Sequence, residues 1–348
     1  MNGRDRAVKV LKGEFPDRVP LFEALIDTKV AQAVVENRGY DGVYDFIDDN
    51  LDFVLTNTPS LLYRKRFIDE GKGIFVNEWG IVRQESGQSV SMPIEGPIRS
   101  KEDLKGYRAP DPNDDFRYVE LASLLERFKG KKLVGMHLHD VFNYPYYLRG
   151  MESFLIDLVT DPDLVKRLVE ISVEHNIAIA KRAIKMGADF ILLGDDYGTT
   201  TGPLFSPKAF EERLLPGFTE IVREIKAGGA YVIKHCCGNI NSLLDMIVDA
   251  GIDAIHPLDQ TAGMDIAAVQ ERYRGRIAVI GGIDCGELLT NGRPEEVAAV
   301  TKRLLKEVSS KGGHVVSSSN TIHPKVKPEN YLAMADTVKM FGKYPIHF

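Results

Sequence analysis

The sequence predicts an α/β protein built as a single (β/α)8 barrel, and three observations carry that expectation. Eight short apolar runs recur along the 348 residues, a helix-forming stretch follows each, and the reactive side chains gather where the runs end. Continuously apolar runs of four to eight residues fit strands buried on both faces, as a parallel sheet requires. They fall at 20–25 (PLFEAL), 52–56 (DFVLT), 133–139 (LVGMHLH), 189–195, 231–237, 253–257, 277–284 and 314–320. An open doubly wound sheet is the competing arrangement; a count of eight favours closure.

The elements follow in order. The start, MNGRDRAVKVLKGEFPDRVP, reads as a charged amphipathic helix running to a Pro-bounded turn. Residues 74–95 break the alternation and read as antiparallel strands with a turn near Gly87, a β-hairpin inserted after the second strand over part of the barrel mouth. A helical stretch over 162–186 stops at Gly187. Ser206 as cap and Pro207 at the first helical position open the stretch 206–227, which Gly228-Gly229 closes. Pro294-Glu295-Glu296 starts another, ending near Gly312-Gly313. No long linker appears, so residues 1–348 read as one domain. The loops 197–203 and 317–325 are small and polar, suited to lining a site.

Composition excludes several classes. Apolar residues are 44% and charged residues 27%, ordinary for a globular protein, and the net charge of −6 implies no nucleic-acid or membrane partner. No run approaches the roughly 20 apolar residues of a membrane span, and no signal peptide is visible, so a cytoplasmic location is expected. Three cysteines, an odd number, do not make a disulfide framework. The oligomeric state is left open, a homodimer included. No GxGxxG, Walker, HExxH or GxSxG motif occurs, so dinucleotide, NTP, zincin and serine-hydrolase readings lack support.

Barrel active sites sit at the C-terminal ends of the strands, and there the polar residues concentrate. His137, His139 and Asp140 end the third run, Asp195-Asp196 the fourth, and His235-Cys236-Cys237 the fifth. His256 ends the sixth, Asp284-Cys285 the seventh, and Asn320 the eighth, with His323 beyond. Side chains two apart on a strand point the same way, so His235 and Cys237 share the barrel axis while Cys236 faces the helices. With Cys285 at the same height they make a zinc set of three ligands and an open position, at distances of about 2.0–2.3 Å. Cysteine alone is often only a small buried hydrophobe. A nucleophilic cysteine beside His235 is the rival chemistry, and the pair His137/His139 is the rival metal location.

The remaining candidates have two readings each. Asp196 shares a face with Leu192 and Gly194 and reads as a catalytic carboxylate, or as a solvated loop group. Asp195 beside it reads as a substrate contact. His256 is a packed histidine, a catalytic substrate contact, or a partner of the metal ligands. Trp79 is core, or the wall of an apolar substrate pocket. Glu23, His137, His139, Asn320 and His323 are placed as substrate-binding residues of the rim.

Three stretches, HCCGNINSLLDMIVDAGIDAIHPLDQTAGMD, IAVIGGIDCGELLTNGRPEEV and SSSNTIHPKVKPENYLAM, resemble the uroporphyrinogen decarboxylase superfamily, as does FSPKAFEERLLPGF. The resemblance implies a (β/α)8 barrel and one of two chemistries. True decarboxylases grip their substrate with an arginine motif like RQAGRY. The corresponding PLFEALIDTKVAQ has no arginine and carries Glu23 and Asp27 instead. The corrinoid-dependent methyltransferase branch resembles this chain in its zinc-binding His-x-Cys, matched by His235 and Cys237. Its thiol-methylating members take a third ligand from a Cys after the eighth strand. Ser319-Asn320-Thr321-Ile322 stands there instead, with Cys285 as a replacement. The resemblance therefore implies a zinc-dependent methyltransferase that moves a methyl group from a small methoxylated compound to a corrinoid protein, as in O-demethylase systems. Uroporphyrinogen-type decarboxylation and non-catalytic corrinoid or tetrapyrrole binding are the alternatives.

Overall fold

The computed structural model describes residues 1–57, 59, 64–85 and 90–347. Seven parallel strands form one curled sheet: β1 (Phe53–Leu55), β6 (Leu133–Leu138), β7 (Phe190–Gly194), β8 (Tyr231–His235), β9 (Ala254–His256), β10 (Ala278–Ile283) and β11 (His314–Ser318), paired in that order. The first expected run, 20–25, is not a regular strand. It closes the gap by single bridges, Leu21 to Val316 and Ile26 to Ile322, and by the Asp52 amide bonding to the Leu21 carbonyl. Asp52 explains why the segment holds. Its buried carboxylate accepts from Arg6 at 2.5 Å, from Arg18 at 3.1 Å and from the Leu21 amide at 2.9 Å. A buried charge must be paired, and these partners clamp the chain end onto the barrel.

Period-two alternation divides each strand between two apolar layers. Phe22, Phe53, Leu133, Phe190, Leu192, Ile233, Ala254, Ile280 and Val315 fill the barrel interior, with Ala7, Val10 and Leu11 of helix Gly3–Leu11 in the same cluster. Val54, Val134, Ile191, Leu193, Val232, Ile255, Val279, Ile283 and Val316 face the helices. The parity fixes everything at the rim: His137, Gly194, His235, His256 and Ser317 continue the inward rows.

The helices expected from capping signals are present. Pro162–Met186 has the expected bounds, with Asp161 as its cap. Pro294–Glu307 begins at its proline. The stretch opened by Ser206 contains a π turn at Phe210–Leu214 before it continues as Leu215–Ala227.

The insertion is larger than a hairpin. It is a four-stranded antiparallel sheet, β2 (Lys65–Asp69), β3 (Ile74–Asn77), β4 (Val82–Gln84) and β5 (Met92–Glu95). β2 is mostly exposed and lacks an apolar alternation, which hides it from a pattern search. The turn near Gly87 lies outside the described residues. Trp79 settles as core: it stacks on Tyr144 at 3.9 Å, meets His175 edge-on at 4.5 Å, and fastens the insertion to the helices behind β6. Among the described residues no helix is long and apolar enough to cross a membrane.

Candidate metal centre

Asp196, His235 and Cys237 converge at the C-terminal rim, their ligand atoms all within 4.8 Å of one another. His235 ends β8 facing inward, and Cys237 follows on the same side. The Cys237 Sγ lies 3.4 Å from His235 Nε2, and Asp196 Oδ1 lies 3.6 Å from that nitrogen. The Cys237 amide donates to Asp196 Oδ1 at 2.8 Å, tying the β7 and β8 ends together.

These separations test whether a metal fits. Zinc bonds of about 2.0–2.3 Å in a tetrahedron put neighbouring ligand atoms roughly 3.3–3.8 Å apart. Both distances at His235 Nε2 fall in that range, and the N, S and O donors are those zinc takes. The other ring nitrogen is committed: His235 Nδ1 lies 2.7 Å from His256 Nδ1, and His256 Nε2 lies 3.3 Å from Ser317 Oγ. With a proton on His235 Nδ1 donated to His256, and one on His256 Nε2 donated to Ser317, His235 Nε2 is left as a lone pair toward Cys237 and Asp196. A hydrogen-bonded partner that fixes the tautomer is what a ligating histidine requires.

Burial dominates the electrostatics. Desolvation holds His137, His235 and His256 below the ordinary imidazole range, so all three are neutral near pH 7. It pushes the Cys237 thiol well above the ordinary thiol range, with the Asp196 charge adding to the effect. Glu23 is raised to about 8 by burial, against hydrogen bonds from Ser318.

The expected site residues separate into three groups. A cavity of about 170 Å³ beside the centre is lined by His137, His139, Asp196, His235 and Asn320, with Asn143, Tyr147 and Thr321. Gly194 also lines it, and only glycine fits there: a Cβ would lie 2.0 Å from His137 Nε2. The second group supports the site from behind. His256 is fully buried and holds His235 rather than facing the cavity. Asp195 points outward with Ile191 and Leu193; its Oδ2 accepts the amides of Asp140, Phe142 and Asn143, and its Oδ1 meets His139 Nδ1 at 2.9 Å. His323 Nε2 meets the Cys285 carbonyl at 3.1 Å and pins its own loop. Glu23 lines a separate cavity of about 500 Å³ that shares Ala24 and Leu25 with the first.

Cys285 is the correction. It is not part of the cluster. It shares strand parity with Val279 and Ile283, so it joins the outer apolar layer, and its sulfur accepts from the Ser319 hydroxyl at 3.4 Å. The Asp284 carboxylate caps the amides of Gly286, Glu287 and Leu288, turning the chain into helix at once. In the candidate cluster Asp196 stands beside His235 and Cys237 instead. Cys236 also faces outward, its sulfur accepting the Tyr197 amide at 3.1 Å. Behind the strands, Lys234 pairs with Asp140 at 2.7 Å in a fully buried ion pair that the apolar pattern of the run conceals. Tyr147, Asn143 and Ser317 were not singled out by sequence; only Ser317 has a legible signal, its inward parity with Val315.

A family model described as Uroporphyrinogen decarboxylase (URO-D) matches residues 81–341, three quarters of the chain. The chain belongs to the uroporphyrinogen decarboxylase family. Relatives within this enzyme family carry two kinds of name. A uroporphyrinogen decarboxylase of Coxiella burnetii is 29% identical over 265 residues, covering 73% of this chain and 71% of its own. A methylcobamide:CoM methyltransferase of Methanosarcina acetivorans is 28% identical over 210 residues, covering 60% of this chain and 59% of its own. The solved structure of a methyltransferase from Methanosarcina mazei matches with a TM-score of 0.77 at 18% identity, over 98% of this chain and 99% of that one. That likeness establishes the barrel, with the URO-D domain on it.

Proposed function

We propose that this URO-D family protein is a zinc-dependent methyltransferase, moving a methyl group from a small methoxylated compound to a corrinoid carried by a partner protein. The observation that carries the reading is the Asp196–His235–Cys237 cluster, with tetrahedral spacing about His235 Nε2, beside a small cavity. Zinc bound there would supply Lewis-acid polarisation of the substrate oxygen, whose poor leaving ability is the main barrier to removing the methyl group.

The chain's own residues do the rest. His256 and Ser317 keep His235 in the ligating tautomer. At about 170 Å³ the cavity is small against the roughly 300–1,000 Å³ of ordinary ligand pockets, which restricts the donor to a small molecule. Tyr147 and His139 offer ring surfaces to an aromatic donor. Asp196, exposed at the rim, sits where a docked corrinoid protein would cover it.

Decarboxylation is the second reading, favoured by the names of several relatives. Against it, no described residue lining the cavity is Arg or Lys, whereas a substrate with many carboxylates needs cationic partners. The test mixes zinc-loaded protein, a reduced corrinoid protein and a panel of methoxylated compounds, and follows corrinoid methylation by absorbance. Methylation with at least one donor is expected. Its absence across the panel, with coproporphyrinogen formed from uroporphyrinogen, would overturn the proposal.

A further inference from the structure

His139 is placed to act on a molecule in the cavity beside the Asp196–His235–Cys237 cluster without belonging to that cluster. It is 2% exposed, it lines the cavity shared with Asp196 and His235, and its Nε2 is buried without a hydrogen-bond partner among the described residues. Buried polar atoms in folded proteins are nearly always satisfied, so an orphan on a cavity wall marks a place for a ligand atom. Its other nitrogen is held. Nδ1 lies 2.9 Å from Asp195 Oδ1, whose second oxygen is fixed by three backbone amides. The Asn143 side-chain nitrogen lies 3.2 Å from the same Nδ1. The charged carboxylate is the stronger partner and keeps the proton on Nδ1. The other charged and titratable groups around this ring are Tyr144 and Tyr147 in edge contact with it, Asp196 and His235 on the same cavity, His137 two residues back, the Asp140–Lys234 pair behind it, and His175 beyond Tyr144.

We propose that His139, oriented by Asp195, is the catalytic acid that protonates the oxygen from which the methyl group departs. This rests on the methyltransferase reading above. The O–CH3 bond breaks with its electron pair kept by oxygen. The methyl group passes as a cation equivalent to the two-electron-reduced corrinoid. The His139 Nε2 proton goes to the oxygen, leaving a neutral phenol and a neutral imidazole, which solvent reprotonates between turnovers. The Asp195 carboxylate, 2.9 Å away, stabilises the imidazolium before transfer.

The test compares wild type with His139→Gln in two arms, after thermal melting shows that both are folded. In the first, single-turnover methyl transfer is measured over aryl methyl ethers spanning the acidity of the phenol released, from methoxyphenol to 4-nitroanisole. A general acid contributes about 10²–10⁴-fold, so the variant is expected to lose at least about 100-fold with methoxyphenol and only a few-fold with 4-nitroanisole. An equal loss across the series would overturn the proposal, since a misshapen pocket does not sense leaving-group acidity. In the second arm, 4-nitrophenol is titrated into each protein without corrinoid, and its ionisation-sensitive visible band is followed. Wild type is expected to bind it at least 10-fold more tightly than the variant, with a shifted band; identical affinity and spectra overturn the proposal. Should wild type demethylate nothing, the methyltransferase reading fails, and the binding arm alone decides the role of His139.

Discussion

Replacing Glu23 by glutamine should remove the pH dependence of stability that this one side chain imposes. Glu23 is 5% exposed, and its carboxyl meets only neutral groups: the Ser318 amide donates to Oε1 at 3.1 Å, and the Ser318 hydroxyl lies 2.5 Å from Oε2. Burial lifts it to about 8 from an ordinary 4.5. Between those values the folded chain keeps a proton that the unfolded chain releases. Stability therefore falls as pH rises, by up to about 1.4 kcal/mol per unit. From pH 5 to pH 8 that comes to roughly 3–4 kcal/mol. Glutamine has the same shape, its oxygen accepting the Ser318 amide and its NH2 donating to the hydroxyl, and it does not titrate. Reversible urea unfolding of both proteins from pH 5 to 8.5 isolates the effect, because all other titrations cancel in the difference. Near pH 5 the two should be about equally stable; by pH 8 Glu23→Gln should lead by roughly 3–4 kcal/mol. A difference that stays flat across the range would refute the argument, because it would mean that the carboxyl ionises without penalty.

Other expectations follow from the same structure. Asp195→Asn can keep its oxygen on the three backbone donors, which leaves its NH2 facing the His139 ring, and it removes the buried charge they solvate. It should cost roughly 1.5–3 kcal/mol in denaturant unfolding, the worth of a hydrogen bond to a charged group. Cys237→Ser should abolish stoichiometric zinc binding in metal analysis while Cys236→Ser retains it, because only Cys237 faces the cluster. His256→Gln should weaken zinc by about 10–100-fold in chelator competition, the usual effect of removing the group that orients a ligating histidine. Gly194→Ala drives a Cβ to 2.0 Å from His137 Nε2 and should cost roughly 1–3 kcal/mol; in a His137→Ala background most of that cost should vanish, a coupling a double-mutant cycle reads directly.

The site was legible where strand parity decides it. His235 and Cys237, two apart, share the inward row with Ile233, and Asp196 extends the row of Leu192 and Gly194. The same rule, applied to the seventh strand, sends Cys285 outward with Val279 and Ile283. Height along the barrel alone had suggested a ligand. Asp195 was opaque for a different reason. Its role is set by the amides of residues 140–143, more than fifty positions away, and a carboxylate accepting backbone donors has the same sequence signature as one facing solvent. The barrel was readable because seven runs are continuously apolar and each is followed by a helix-forming stretch. The segment at 20–25 makes only bridges, and β2 is too exposed to show a pattern.

The Asp52 clasp and the Leu21–Val316 bridge also set a schedule for the nascent chain. The closing seam joins positions nearly three hundred residues apart, and the Val19 amide bonds to the Gly342 carbonyl at the other end of the sequence. At about 5–20 residues per second, a ribosome needs roughly 15–60 s to travel from one side of that seam to the other. Throughout that interval the segment at 20–26 has no partner on the side away from β1. Closure of the ring is thus a late event: however early the helices form, the rim that carries Asp196, His235 and Cys237 cannot take its final curvature until the last strand leaves the ribosome.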